Sequence, residues 1–420
     1  MNPADTLTQR PFFGNNDPKV LLERFGSPLY VYNEAIFRQR CREMRHLIDY
    51  PHFTANYSIK ANSNLTLLKI AREEGLYADA MSPGEIFALE QAGFTPDQIF
   101  FVPNNVSAHE LDYARERQIC ISLDSLDQLE LAGRLSPGLG VAIRINPGLG
   151  AGHHAKVITA GKKTKFGINA EQLDEARAIA ERLGLRIIGV NQHIGSLFME
   201  PPAYLRAARH FFELAAGFPD LEFVDLGGGF GIPYRKLDGE ARLDLDELRD
   251  GLDQLVDDFV RRYGKPVMVK TEPGRYVVAE SGVLLGTVHA LKENDGVAYA
   301  GTDIGFNVLA RPMLYDSWHD IVVYRDGQSL EAEPDALRPV TVVGNICESG
   351  DILAKHRLLP PLRQGDHLAV LDAGAYGYAM SSNYNNRLRP AEVLIRQDGS
   401  AILIRRRETL ADLMRTCLEI

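Results

Sequence analysis

LYADAMSPGEIFALEQAGFTPDQIFFVPNNVSAHELDYARERQICISLD, residues 76–124, decides the architecture. Three short apolar runs (76–80, 99–102 and 120–124) are separated by stretches that carry helix punctuation. Ser82 stands as an N-cap, Pro83 at the first helical position and Glu85 at the third, and Gly93 sits where that helix should stop. Ser107 with Glu110 repeats the capping pair, and Ser125 with Gln128 repeats it again just beyond. Strands alternating with helices of this length predict right-handed βαβ units and a parallel sheet.

The rhythm extends in both directions. Further strand-like runs occur at 53–59, 141–146, 186–193, 222–226 and 267–271. Asn169 opens a predicted helix over 170–183 that Gly184 closes, and Asp244 with Glu247 opens another to Arg262, ahead of Gly264 and Pro266. Eight such units in about 230 residues fit an α/β fold closed as a (β/α)8 TIM-like barrel, assigned to 36–280, with an open doubly wound sheet as the alternative. Beyond Gly282 the runs 283–290, 297–302, 321–324, 340–343, 367–371, 392–395 and 401–405 are strand-like and almost free of helix. They predict an all-β C-terminal domain, sandwich- or barrel-like, over 281–420. Residues 1–35 belong with it, because 28–32 can supply it with a strand.

Composition excludes several classes. A chain of 420 residues, 45% hydrophobic and 24% charged, is ordinary globular protein, neither disordered nor collagen-like. No apolar run approaches the roughly 18 residues that would span a bilayer, and Met1–Asp5 lacks a signal-peptide pattern. Cys41, Cys120, Cys347 and Cys417 are far apart with no metal spacing, so a reduced, cytoplasmic chain is expected. Forty-six basic against 56 acidic residues, a net charge of −10, argues against a nucleic-acid partner. Adjacent His153 and His154 have no carboxylate beside them and are weak ligands, so no metal is expected.

In such a barrel the chemistry lies at the C-terminal ends of the strands. That rule selects Lys60, His193 to Ser196, Gly227 to Gly231, and Glu272 to Arg275. A lysine inside a barrel mouth loses water and readily forms Schiff bases with carbonyls; a lysine snorkelling at the rim is the alternative. Gly227, Gly228 and Gly229 can offer backbone N–H groups to an anion, with Ser196 and Arg275 as further donors. A tight turn without ligand is the other reading, and neither a dinucleotide fingerprint nor a P-loop fits. Glu272 needs a cation, either Arg275 or Arg144 in an internal salt bridge or a protonated ring nitrogen in a ligand. His193 offers a flat ring. A Schiff-base lysine, an anion nest, a carboxylate for a ring nitrogen and a stacking surface together describe pyridoxal 5′-phosphate.

Tyr57-Ser-Ile-Lys60-Ala-Asn62, His193-Ile-Gly-Ser196, Gly227-Gly-Gly-Phe-Gly-Ile-Pro-Tyr234 and Glu272-Pro-Gly-Arg275 resemble the fold-type III pyridoxal-phosphate decarboxylases of the ornithine/diaminopimelate group. Gly150-Ala-Gly-His-His154 through Lys165-Phe-Gly167, Arg311-Pro-Met-Leu-Tyr315, Cys347-Glu-Ser-Gly-Asp351 and Gly374-Ala-Tyr-Gly-Tyr378 through Asn385 are similar to the diaminopimelate branch. Asn345 departs from the proline expected before Ile-Cys-Glu. The resemblance implies decarboxylation of meso-2,6-diaminopimelate to L-lysine, with ornithine, arginine or carboxynorspermidine as alternative substrates of sister enzymes. It further implies that Lys60 holds the cofactor, that Gly227–Gly229, Gly274, Ser196, Arg275 and Tyr376 cradle its phosphate, and that Arg144 is another cofactor contact. Glu272 would pair with the ring nitrogen and His193 would stack on the ring. Arg275, Arg311, Tyr315 and Tyr376 would bind substrate, with Arg311 and Tyr315 on its distal carboxylate and Glu348 on its distal ammonium. Cys347 would return the proton. Cys347 and Glu348 would come from the partner subunit of a homodimer. A racemase would need a second acid/base group, which does not stand out, and a non-catalytic cofactor carrier would be a one-domain chain.

Overall fold

The computed structural model describes residues 12–148 and 164–418. Among these, one compact unit comprises the described residues of Arg40–Ile232 and Arg242–Val277. The other comprises residues 12–39, Pro233–Ala241 and residues 278–418. The sequence reading keeps 233–241 within the barrel; the structure gives this segment to the second unit.

The first unit contains eight parallel strands: β1 (Phe53–Ser58), β2 (Tyr77–Ala80), β3 (Ile99–Phe101), β4 (Cys120–Leu123), β5 (Gly140–Asn146), β6 (Arg186–Asn191), β7 (Phe223–Asp225) and β8 (Met268–Thr271). They pair in the order β4-β3-β2-β1-β8-β7-β6-β5, and β4 pairs with β5 to close the ring. Closure removes the unpaired edges an open sheet would carry. The caps do what their sequences require. Ser82 accepts the Glu85 N–H, and the helix Pro83–Ala92 ends on Gly93 at φ 87°. Ser107 and Glu110 form a reciprocal box. Ser125 accepts the Gln128 N–H, but the Gln128 side chain turns to the Val106 carbonyl. Asp244 accepts from Asp246 and Glu247 and opens Leu245–Tyr263, which ends at Gly264 with φ 83°.

Asn169 behaves differently from expectation. Its side chain is engaged by Asn146 at 3.0 Å and caps nothing, so the chain makes a single 3-10 turn, Ala170–Gln172, before the helix Leu173–Leu183. The barrel interior is packed by Phe100 and Phe223, edge to face at 5.2 Å. Gly189 makes room for this pair: a Cβ there would lie 2.2 Å from the Phe223 ring.

In the second unit, Leu29–Asn33 lies between Gly282–Asn294, antiparallel, and Ala391–Ile395, parallel. The amino-terminal strand is therefore interior, and its burial is complete. Gly282–Asn294 pairs with His367–Val370 along its first half and with Val297–Thr302 along its second, with a register shift between Val288 and Ala290. Two strands escape the sequence reading. Gln328–Ser329 is only two residues long. Ile352–Leu359 carries Lys355, His356 and Arg357 in its middle, and His356 at φ 45° breaks the alternation that would reveal it.

Pro233–Ala241 is held by a buried ion triad. Lys236 Nζ lies 3.0 Å from Glu280 Oε1 and also bonds Asp372 Oδ1, and both carboxylates are almost wholly buried. Burial raises the Asp372 pKa to about 6 against the pull of Lys236, while Asp372 and Glu280 keep Lys236 charged in spite of its own burial. Lys236→Met strands two carboxylates together and should cost about 3–5 kcal/mol in denaturant unfolding near pH 8. Without the ammonium that lowers it, the Asp372 carboxyl takes up a proton at higher pH than in the parent protein and so relieves the repulsion; the deficit should shrink when the titration is repeated at pH 5.

Candidate active site

Lys60 occupies the 3-10 turn Ile59–Ala61 directly after β1. Tyr57 fixes this turn by donating its hydroxyl to the Asn62 carbonyl at 3.0 Å. Ser58 stitches the end of β1 to that of β8: its N–H donates to the Pro273 carbonyl at 3.0 Å and its hydroxyl to the Glu272 carbonyl at 3.2 Å. Because β1, β8, β7 and β6 are consecutive staves of the ring, the residues that follow them, Lys60, Glu272, Gly227 to Gly229 and His193, converge on one mouth.

The glycine run is compulsory for close packing. A Cβ on Gly227 would stand 2.2 Å from the Gln192 carbonyl oxygen, and one on Gly228 would stand 2.0 Å from that of Glu272. Gly227 and Gly229 also have φ of 75° and 106°, a region that L side chains disfavour. The Tyr204 hydroxyl pins the run from beneath through the Leu226 and Gly227 carbonyls, with Phe198 and Phe230 packed around the tyrosine ring. Two of the N–H groups read as an anion nest are committed within the barrel. Gly227 donates to Asp225 Oδ1 at 2.8 Å, and Gly228 donates to His193 Nδ1 at 3.3 Å. Accepting at Nδ1 places the proton of a neutral His193 on Nε2. Arg275 Nη2 donates to Ser196 Oγ at 2.8 Å, bringing the two expected phosphate donors together. Gly274 lies in the turn that delivers Arg275, which opens Arg275–Val278.

Electrostatics at this mouth are dominated by lost water. Glu272 is 4% exposed, and its Oε1 is buried without a hydrogen-bond partner. Burial, then Asp225 and Asp79, drive its pKa well above the usual carboxylate range, against Lys60 and Arg144. Burial lifts Asp225 to about 7 and raises Asp79 too, with Lys60 the chief opposing charge. Enclosure, then the positive Lys60 and Arg144, hold His193 well below 6.5. Arg144, on β5, is 6% exposed with its guanidinium over the Phe166 ring. Asp79 and Asp225 are participants that sequence reasoning missed. The mouth thus holds acidic groups whose charged forms await a cation. An N–H donor at Glu272, an anion at Ser196 and Arg275 and a carbonyl at Lys60 would satisfy it, so the residues fit pyridoxal phosphate.

The remaining expected site residues belong to the second unit. Arg311 is 2% exposed at the start of Arg311–Tyr315; its Nη1 donates to His319 Nε2 at 2.8 Å, and its guanidinium lies over the Tyr234 ring at 4.5 Å. Tyr315 is half-buried. Cys347 and Glu348 are exposed: the Cys347 N–H donates to Asn385 Oδ1 at 2.8 Å, and Glu348 accepts the Tyr384 hydroxyl at 2.6 Å. Asp351 folds this loop by accepting the N–H groups of Phe306 and Ile346, each at 2.7 Å. Tyr376 stands at φ 57°. His319, Tyr384 and Asn385 had no role assigned from sequence. His153 and His154 lie outside the described residues. No helix among the described residues is long and apolar enough to cross a membrane.

Known proteins with the same layout bear directly on this site. Residues 34–279 match the family described as pyridoxal-dependent decarboxylase, pyridoxal binding domain. A diaminopimelate decarboxylase from Methanothermobacter thermautotrophicus is 40% identical over 412 residues, covering 96% of this chain and 94% of that protein. A crystal structure of a diaminopimelate decarboxylase aligns with a TM-score of 0.88 at 34% identity, over 96% of this chain and 98% of its own. The Helicobacter pylori diaminopimelate decarboxylase, solved with L-lysine, aligns at 0.85 and 31% identity over 94% and 98%. Likeness of this depth, over nearly the full length of each partner and through the stretch that carries Lys60 and Glu272, is more than a common barrel: this chain belongs to the pyridoxal-dependent decarboxylase family.

Proposed function

We infer that this protein decarboxylates meso-2,6-diaminopimelate to L-lysine with pyridoxal phosphate as cofactor. The observation that carries the reading is the convergence of Lys60, buried Glu272 and the Ser196–Arg275 pair on one barrel mouth, in a chain 40% identical to a diaminopimelate decarboxylase.

The bound cofactor supplies a conjugated, protonated ring that accepts the electron pair left when the bond to CO2 breaks. Lys60 is the amine that holds it. Glu272, costly as a bare buried anion, would accept the ring N–H and favour that nitrogen's charged form, which is preorganised electrostatic stabilisation. Ser196, Arg275 and the Gly229 end of the glycine run hold the phosphate, with Gly274 shaping the turn and Tyr376 adding its hydroxyl. His193, kept neutral by its surroundings, would stack on the ring, and Arg144 balances the carboxylates nearby. Arg311 and Tyr315 bind the distal carboxylate with help from Arg275 and Tyr376, and Glu348 binds the distal ammonium. The Cys347 thiol donates the proton that replaces CO2.

We further propose a homodimer in which Cys347 and Glu348 serve the partner's barrel. Their exposure, on a loop held by Asp351, supports a surface that a second copy covers. The four cysteines are free thiols, which supports a reducing cytoplasmic setting.

Lys60→Ala should remove nearly all turnover, together with the absorbance band near about 410–430 nm that borohydride abolishes in the parent protein. Full activity in that variant, saturated with cofactor, would sink the assignment. Arg311→Ala should cost on the order of 2–5 kcal/mol in kcat/KM for diaminopimelate and shift preference toward ornithine. Mixing inactive Lys60→Ala and Cys347→Ala chains should restore roughly a quarter of parental activity once subunits exchange completely, since each mixed dimer assembles one intact site. No recovery, with mixed dimers verified by mass spectrometry, would reject sharing.

A further inference from the structure

Arg357 is a cation only 9% exposed, and among the described residues no carboxylate lies within ion-pair distance of it. Its Nη1 donates to the His319 carbonyl at 2.7 Å. The other edge of the guanidinium, Nε and Nη2, bonds nothing among the described residues, and Nε is buried without a partner. The group lies over the Trp318 ring at 3.3 Å, and a second guanidinium, that of Arg235, lies 4.2 Å from the same ring. Asp320 is committed elsewhere: one oxygen accepts the Trp318 indole N–H at 2.8 Å and the other the Leu237 N–H at 3.0 Å. Burial lowers Arg357 to about 10, with Asp320 and Asp238 opposing and Arg235 assisting, so the group is still charged at neutral pH.

Arg357 lines a cavity of about 200 Å³ together with Ser317, Lys355, Asp316 and the apolar Pro312 and Leu353, which is room for roughly six waters. The Ser317 hydroxyl is buried without a partner. Lys355 and Asp316 are exposed, and neither makes an ion pair among the described residues. One arginine and one lysine against one aspartate leave this lining positive by one charge. Buried donors without acceptors are costly, and an acceptor is what Arg357 and Ser317 both lack. A guanidinium edge matches two oxygens of a phosphate group, which has further oxygens for a hydroxyl and an ammonium. We propose that this cavity is a phosphate-binding site in which the Nε–Nη2 edge of Arg357 takes two oxygens and Ser317 and Lys355 take the others. The phosphate is a free ion or the end group of a small ester. No part of the site belongs to the barrel mouth, so it stands or falls apart from the function proposed above.

Trp318 is the only tryptophan of the chain and lines the same cavity, so its fluorescence reports this site. The cofactor-loaded enzyme, freed of excess cofactor, is titrated with inorganic phosphate while chloride holds the ionic strength constant. Trp318 emission should change saturably. Arg357→Gln should weaken the apparent affinity at least about tenfold, and Ser317→Ala and Lys355→Ala about threefold each. Asp316→Asn, which removes the opposing charge, should strengthen it about threefold. Acetate, with two oxygens, should bind at least about tenfold more weakly than phosphate. Glycerol 3-phosphate separates the two sources: tighter binding than phosphate identifies an ester, and equal or weaker binding the free ion. The proposal is overturned by a parent protein that shows no saturable change, by an affinity that the Ser317, Lys355 and Asp316 substitutions leave unmoved, or by acetate that matches phosphate. Arg357→Gln also disturbs the bond to His319; if that variant does not fold, the other three substitutions decide in the same sense.

Discussion

A carboxylate that has lost its water and keeps one oxygen without a donor sets the terms for the barrel mouth. Glu272 is buried against a backbone approach so close that position 228 tolerates no Cβ, and Asp225 and Asp79 make its ionisation harder still. Such a cluster is costly, because each charge lacks solvent and has few cations to share. Under the function proposed above, a ring that brings a proton to Glu272 would relieve this cost, and a neutral ligand of similar shape would not. Lys60 and Arg144 limit the penalty in the meantime, so the staves can close with the acids in place.

Charge is handled oppositely in the second unit. At Lys236, two buried carboxylates consume a cation completely, and the result is structural: the segment after the glycine run is fixed. At Arg311, an imidazole nitrogen accepts from the guanidinium and a phenol ring lies under it. Two basic side chains of one unit thus meet different surroundings. Burial alone does not distinguish an anchor from a binding group.

The barrel was legible because its punctuation is local. Ser82, Ser107 and Asp244 cap helices through backbone groups within three residues, so their meaning is contained in a short window. Asn169 misled for the complementary reason: its side chain is claimed by Asn146, a contact that no window of helical length contains. Lys60, Glu272 and Arg275 could be singled out because strand ends in a closed barrel converge by geometry. Asp79 and Asp225 ended ordinary strand-like runs, and only the ring order brings their charges to Glu272. The glycines were legible as a special turn, but not as a packing requirement, since the carbonyls they approach belong to Gln192 and Glu272. His319 follows Arg311 by eight residues; its acceptor role depends on Leu371, which spacing cannot reveal.

The strand Leu29–Asn33 leaves the ribosome long before either of the strands that flank it. Its parallel neighbour begins at Ala391, about 360 residues later, which is roughly 20–70 s of synthesis at 5–20 residues per second. Until its antiparallel neighbour Gly282–Asn294 emerges, a stretch reading Leu-Tyr-Val-Tyr-Asn, wholly interior in the finished protein, has no strand to pair with. A nascent chain of this design therefore carries an adhesive β segment through the synthesis of the whole barrel, and its yield in a crowded cell depends on how well that segment is shielded until its neighbouring strands emerge.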